Sequence, residues 1–368
     1  MAGNCHSRSC RGFEVMEHDA SVELKERVAA AAGARTPLRL CGSGSKAFYG
    51  RAVCGEPLAL QQHCGVVDYD PQELVLTARG GTPLRRIEEE LAKCGQCLPF
   101  EPPHFGAGAT LGGTIACGLA GPARASVGPA RDFVLGVRVL TGTGQVLQFG
   151  GRVMKNVAGY DVTRLMVGAF GTLGVLLELS LKVLPRAPEQ LTLTFELSAA
   201  QAIERMNDWA LTPLPVSGSC WVDGRVYLRL QGSTAALAQA RRRMGGEELP
   251  ASEAFWMGIK EHTHPFFHGA TNLWRIFVPA ESALFDVPGR TLLEWTGAQR
   301  WIVPDDARTD LREESARARG FATRFRAVER SGEVFAALPA ALMQVHRELK
   351  KTFDPHGILN PGRLYADL

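Results

Sequence analysis

Residues 102–131, PPHFGAGATLGGTIACGLAGPARASVGPAR, constrain this chain more than any other stretch. They are crowded with glycine and small residues and show neither helical nor strand period. A segment of that length without regular patterning, inside an otherwise periodic chain, is usually functional. Glycine without side-chain bulk lets backbone approach backbone or ligand closely. Two further stretches share this character: Gly42-Ser43-Gly44-Ser45-Lys46 and Gly168-Ala-Phe-Gly171-Thr172-Leu-Gly174-Val175. The first follows a short strand, Leu38 to Cys41, and matches a degenerate G-x-G-x-x-A dinucleotide fingerprint, with Asp68 about 20 residues beyond it. A dinucleotide loop of that kind must open a helix aimed at the pyrophosphate. Residues 48–64 contain Gly50, Gly55 and Pro57 and no apolar stripe, so no long helix is expected. A phosphate-binding Walker loop fails as well, because Ser45 precedes Lys46 and no Ser or Thr follows it. Taken alone, the loop reads equally as an ordinary turn or as a backbone nest for an anion. Several such loops, far apart in sequence, suit one ligand that carries a diphosphate.

The remaining chain reads as α+β. A helix is expected from Asp19, with Ser21 as its N-cap and Gly33 as its stop. Strands follow at 65–70 and 73–78, then a helix opened by Thr82 and Pro83 and ended by Gly95. Strands at 133–140, 145–149 and 175–184 precede Pro185 and Pro188, the expected domain boundary. Beyond it come a strand at 191–197, a helix at 199–210, a hairpin turning at Asp223-Gly224 and a helix at 233–243. Strands at 273–278, 291–296 and 321–328 and a helix at 339–353 complete the pattern, which implies an antiparallel sheet. Residues 1–15 are aperiodic and polar, and are expected to be a disordered or non-native extension ahead of Met16.

A net charge of +3 over 368 residues argues against nucleic acid or an anionic membrane as partner. No apolar run approaches the roughly 18 residues needed to cross a bilayer. The nine cysteines are odd in number and scattered, unlike a disulfide framework, so a cytoplasmic location is expected. Cys94-Gly-Gln-Cys97 reads as a helix stop with a buried thiol. No Cys-x-x-Cys-x-x-Cys run exists, so any iron–sulfur cluster belongs to a partner. His262 and His264, if on a strand, would share one face and could chelate, yet packing is the better reading and no metal site is assigned. Arg275 is expected at a surface or interface. Arg317, Arg319, Arg324, Arg326 and Arg330 are expected on a solvated face, with docking of an acidic subunit as the alternative.

The order CGSGSK, VVDYDPQELVLTARGGTPLRRIEEEL, GATLGGTIACGLAG, GPARDFVLGVRVLTGTGQVLQFGG and KNVAGYDVTRLMVGAFGTLGV, closing on FDPHGILNPGRL, resembles the vanillyl-alcohol oxidase/PCMH superfamily over nearly the whole chain. Within it, the likeness is to the smaller FAD-binding subunits of glycolate oxidases. That resemblance implies a PCMH-type FAD-binding domain of two α+β subdomains (16–187), an α+β cap with an antiparallel sheet (188–330), and a C-terminal segment (331–368) returning to the FAD domain. It also implies that Gly42, Ser43, Gly44, Ser45 and Lys46, with Ala109, Thr110, Leu111, Gly112, Gly113 and Thr114, hold the pyrophosphate of FAD. Gly118, Gly121 and Pro122, Gly128, Arg131 and Asp132, and Gly168, Gly171, Thr172, Gly174 and Val175 would line the rest of the channel. Asn156, Gly159, Tyr160 and Asp161 would buttress it, and Asn360 and Arg363 would approach the flavin edge.

The departures from the family carry equal weight. Its larger dehydrogenases have a Ser-Gly-Glu-His-Gly motif in the cap, aligned here with Ser331-Gly332-Glu333-Val334. Oxidation of a 2-hydroxy acid needs a group that accepts the hydroxyl proton, and valine cannot. The resemblance therefore implies an FAD-binding oxidoreductase subunit without a complete substrate site, its catalytic residues unassigned. It would act with a larger FAD-binding glycolate oxidase subunit and an iron–sulfur subunit, which would also supply any peripheral attachment to the inner membrane. No histidine occurs in Gly42–Lys46, Ala109–Thr114 or Gly168–Val175, so FAD is expected to be non-covalent. The alternative is a structural subunit of the same fold whose FAD is redox-inert or absent.

Overall fold

The computed structural model describes residues 17–151, 161–330 and 332–368. The expected extension at 1–15 lies outside them, as do Asn156, Gly159, Tyr160 and Ser331. Among the described residues the strands form two antiparallel sheets and two small pairs. The first sheet runs, in spatial order, Val66–Asp70, Val75–Arg79, Val175–Lys182, Val134–Leu140 and Val146–Gly150. Val175–Lys182 is its central strand. Its near-continuous apolar run VLLELSLK is buried along most of its length, as a strand covered on both faces must be. Packed against the sheet is the helix Leu84–Lys93, whose stripe Leu84, Ile87 and Leu91 is buried in the first core. The helix Ser21–Ala34 buries Leu24, Val28, Ala31 and Ala32 in a second core with Leu38, Leu58, Ile358 and Leu359.

The strand Leu38–Cys41 pairs in parallel with Glu56–Ala59, so the chain after the Gly42 loop makes a strand and not a long helix. Two expected caps differ. Ser21 lies inside the first turn, where its N–H is accepted by Asp19, and the helix runs through Gly33 to a left-handed Arg35. Thr82 does not cap its helix, because its hydroxyl is held by the backbone of Gly65. The glycine-rich stretch is also less irregular than its sequence suggests. It contains the helix Leu111–Cys117, whose cap Thr110 accepts the Gly113 N–H, and the short helix Arg124–Val127. Gly112 makes this possible by packing directly on the backbone of Gly80.

The second sheet is eight-stranded, in the order Glu247–Glu248, Glu189–Glu196, Arg225–Gly232, Val216–Val222, Gly289–Glu294, Gln299–Pro304, Leu273–Phe277 and Phe321–Arg326. The helix Ala199–Ala210 lies over it, opened by the reciprocal capping box of Ser198 and Gln201. The strand Gln299–Pro304 and the helix Glu253–Glu261 were not expected from sequence. Joining the two sheets, Arg229 pairs with Glu101 at 2.8 Å. Glu261 accepts the N–H groups of His104 and Phe105, and the Trp295 indole donates to the Gly121 carbonyl.

The final helix, Ala340–Phe353, leads back to the first sheet. Lys350 and Asp354 form a buried pair at 2.8 Å, and the Lys350 ammonium also donates to the carbonyls of Thr172 and Leu359. The Asp354 carboxylate in turn accepts from the N–H groups of Ile358 and Leu359. Among the described residues, no helix is long and apolar enough to cross a membrane.

Candidate functional site

The glycine loops meet. Gly42 lies against Thr110 so closely that a Cβ on it would come within 2.6 Å of the threonine hydroxyl. Gly171, left-handed at φ 72°, has room for no side chain between Leu40 and Asn360. Asn360 bridges two of the three segments: it accepts the Leu40 N–H at 2.8 Å and donates to the Phe170 carbonyl at 2.7 Å. Together these segments wall a cleft that opens to solvent, with an accessible interior of about 160 Å³.

Of the residues implicated by sequence, Gly42, Ser43, Gly44, Ser45, Lys46, Thr110, Gly112, Gly113, Gly171, Gly174, Asn360 and Arg363 line this cleft. Others stand behind the wall. Ala109, Leu111, Thr114 and Val175 are buried in the cores, and Thr172 is buried with its carbonyl on Lys350. Gly118 closes the helix Leu111–Cys117 and abuts Gly168. Gly121 and Pro122 line a second cavity beside the cap sheet. Gly128, Arg131 and Asp132 form the turn before Val134–Leu140, with Asp132 3.5 Å from Arg164. Asp161 caps the helix Val162–Met166. Phe170, inside the segment Gly168–Val175 expected to line the channel, does so, whereas sequence reasoning missed Gly80 and Cys117 in the lining. The Gly80-Gly81 pair directly after a strand was the available signal: a Cβ on Gly80 would meet the Leu176 carbonyl at 2.1 Å.

The lining suits an anionic ligand with a flat apolar part. Lys46 is only 7% exposed. Its ammonium donates to the His104 carbonyl at 3.1 Å and sits 6.0 Å from the Phe105 ring. Arg363 donates to the carbonyls of Arg51, Ala47 and Tyr49. Carbonyls satisfy donors but leave the positive charge uncompensated, and burial accordingly holds both cations below their ordinary pKa. Leu40, Val53, Leu60, Ala116, Phe170 and Leu176 supply apolar wall. Buried cations beside loops that exclude any Cβ fit the diphosphate of FAD, and the apolar wall fits its rings. Cys117 also lines the cleft, its thiol held above the ordinary range by burial.

Several sequence expectations are corrected here. His262 and His264 are not on a strand: His262 is the left-handed residue closing the helix Glu253–Glu261, and His264 caps the next turn. The His262 ring stacks on Phe267 at 3.9 Å. No group of three or more His, Cys, Asp or Glu among the described residues is arranged to hold a metal ion. Arg275 is not a surface residue but is buried beneath Trp295, Trp301 and Phe325. Arg324 and Arg326 are half-buried over Trp274 and Phe48, so only part of the arginine run faces solvent.

Within that buried group, Glu294 accepts hydrogen bonds from the Trp301 indole at 2.6 Å and the Gln299 amide at 2.8 Å. Burial raises its pKa from 4.5 to about 7 against the pull of those donors. The folded chain therefore keeps a proton that the unfolded chain has released. The associated stability is fully present below the unfolded value and is lost as pH rises through about 7. Thermal unfolding followed by circular dichroism is expected to weaken between about pH 5 and pH 8, and Glu294→Gln to flatten that decline. An equal decline in the variant counts against this carboxyl as the source.

Comparison with known proteins adds the following. An FAD binding domain model matches residues 15–150, and a model of the C-terminal domain of FAD linked oxidases matches residues 329–364. The glycolate oxidase subunit GlcE of Escherichia coli (strain K12) is 48% identical over 352 residues, 96% of this chain and 99% of that protein. The glycolate oxidase subunit GlcD of Bacillus subtilis is 31% identical over 161 residues, 43% of this chain and 34% of that protein. Solved structures of alkyldihydroxyacetonephosphate synthase superpose with a TM-score of 0.63 at 14% identity, covering 94% of this chain and 74% of the first of them. At that identity the likeness concerns the fold alone.

Proposed function

Because the chain belongs to the family of the glycolate oxidase subunit GlcE, whose cofactor is FAD, we propose that it is the smaller FAD-binding subunit of an oxidoreductase complex acting on glycolate or a close 2-hydroxy acid. Oxidation of such an acid to the 2-oxo acid removes two electrons and two protons, and bound FAD supplies the electron acceptor. The observation that carries this reading is the convergence of the Gly42, Thr110 and Gly171 segments, closed by Asn360 and Arg363, on one cleft. In this reading Lys46 and Arg363 offset the diphosphate charge, and the apolar wall seats the rings. FAD is held without a covalent bond, a reading supported by the lack of a histidine among the described residues lining the cleft. The FAD-binding part spans 16–187, the cap 188–330 and the returning segment 331–368.

The substrate is oxidised on a larger flavoprotein subunit, with an iron–sulfur subunit carrying electrons onward. What supports this division is Val334, 2% exposed, at the position where larger relatives are expected to carry an imidazole. A buried isopropyl group accepts no proton. The purified chain is expected to show a two-band flavin spectrum whose chromophore is released by acid precipitation. Glycolate is expected to bleach that spectrum only after the larger subunit is added. Bleaching of the lone chain refutes the division of labour, and a colourless, correctly folded chain refutes the cofactor role.

A further inference from the structure

The helix Ala340–Phe353 carries more apolar surface than this chain covers. Leu338 just before it, and Leu342, Val345 and Leu349 within it, recur at i, i+4, i+7 and i+11, the spacing that aligns side chains on one helix face. Of its fourteen residues only Lys350 and Phe353 are buried. Phe353 belongs to the first core and Leu349 packs partly against it, so the C-terminal end of the stripe is anchored. The other end is not. Leu342 is 44% and Val345 52% exposed, and Ala340 and Ala341 beside them are exposed as well. Single exposed apolar residues need no explanation, but neighbours on adjacent turns of one stripe make a patch.

This patch lies close to the glycine-loop cleft. Phe170 lines the cleft, and its ring centroid is 5.5 Å from that of Phe335. Phe335 is 6.2 Å from Tyr365, and Tyr365 is 6.4 Å from His346, the residue next to Val345 on the helix. Three ring-to-ring steps therefore join the cleft wall to the helix that bears the stripe. The same helix supports the cleft from behind, through Lys350 on the Thr172 carbonyl.

The area of the patch decides against a second copy of this chain as its cover. A helix of this length presents a face of roughly 21 Å by 10 Å, so two copies meeting helix to helix cover on the order of 200 Å² each. A stable association needs about 800 Å² per partner. An amphipathic helix with anchors at this spacing reaches such areas by lying in an apolar groove that also wraps its flanks. The cavity between residues 88–101 and the cap of this chain does not match. Glu88, Glu101, Glu253, Arg186, Arg229 and Lys260 line it, and leucine or valine there would strip water from charges.

We propose that the face formed by Leu338, Leu342 and Val345 docks into an apolar groove of the larger flavoprotein subunit as a permanent contact. The choice of partner rests on the function proposed above. A chain that does not itself oxidise the acid exchanges electrons with the subunit that does, and this face stands three rings from the cleft. A charge-poor apolar stripe also suits an interface that is never parted, since obligate interfaces are the more hydrophobic ones.

The test mixes the purified full chain with the purified larger subunit. Co-elution on size-exclusion chromatography is expected, with amide hydrogen exchange slowed over residues 340–349 in the complex. Leu342→Glu puts a carboxylate into the contact and is expected to weaken association about a hundredfold or more. Circular dichroism and flavin content of the lone variant are expected to match the parent, because the side chain is exposed. Ala340→Glu adds the same charge on the far side of the helix from Leu342 and is expected to leave the affinity within about twofold. Should Leu342→Glu not fold, Val345→Glu takes its place. Failure of the parent chain to bind the larger subunit overturns the proposal, and so does undiminished association of the folded Glu variant. A parent dimer that Leu342→Glu dissociates overturns it too, since a second copy is then the occupant. So does loss of binding to the iron–sulfur subunit alone. A flavin-free chain that still binds the larger subunit through this face leaves the docking surface standing while the FAD reading fails, which separates the two.

Discussion

Lys350→Met is expected to remove about 3–5 kcal/mol of stability, a large share of the roughly 5–15 kcal/mol that holds a typical native protein folded. All three ammonium donors of Lys350 are used, on the carboxylate of Asp354 and on the carbonyls of Thr172 and Leu359. Methionine fills nearly the same volume, so the loss is not one of packing. It leaves a buried carboxylate facing two unsatisfied carbonyls in a place water does not reach. The same Asp354 fixes the Ile358 and Leu359 N–H groups, and those residues anchor the tail to Leu38. Unfolding in urea is the direct measurement, with Lys350→Arg as the contrast that keeps charge but mismatches three convergent acceptors. A Lys350→Met chain within about 1 kcal/mol of the parent implies that the pair is not desolvated. Because Asn360 lies directly beyond this lock, flavin retention is expected to fall together with stability.

Gly112→Val is expected to yield a folded chain whose flavin content is at least about tenfold lower, with a stability loss of about 1–3 kcal/mol. A Cβ at this position would meet the Gly80 carbonyl at 2.9 Å, and backbone on both sides cannot turn away. The Gly112 N–H bonds that same carbonyl at 2.7 Å, so the helix start must shift bodily into the cleft. The contrast is Gly33→Ala, where nothing lies within 4 Å of the added carbon. That change is expected to stabilise the helix Ser21–Ala34 by about 0.5–1 kcal/mol and to keep the flavin ratio at its original value. The ratio of absorbance at the flavin band to that at 280 nm reads both. Full flavin content in Gly112→Val removes this wall from the binding cleft.

Local chemistry explains which elements are legible in the residues alone. The helix Ala199–Ala210 announces itself through Ser198 and Gln201, which satisfy each other's backbone without any tertiary help. The hairpin between Val216–Val222 and Arg225–Gly232 does so through Asp223-Gly224, both at positive φ. Residues 48–64 announce the absence of a long helix through their own glycines and proline. By contrast, the helix Leu111–Cys117 has two glycines in its first turn and no amphipathic stripe. It exists because Thr110 caps it and Gly80 receives it. The strand Gln299–Pro304 escapes sequence reasoning because its burial is nearly continuous, which erases the alternation that marks a half-exposed strand.

Sequence alone determined that several side-chain-free loops exist and that none opens a long dinucleotide-binding helix. Those are properties of residue type and short-range geometry, carried by φ, by the missing Cβ and by functional groups within a few residues. Only the tertiary structure decided that the loops share one cleft, that Asn360 ties them together across more than three hundred residues, and that Arg275 is buried instead of exposed. Desolvation of a charged or titratable group depends on which distant rings and strands pack over it. Nothing in the few residues around Arg275 encodes the presence of Trp295, Trp301 and Phe325.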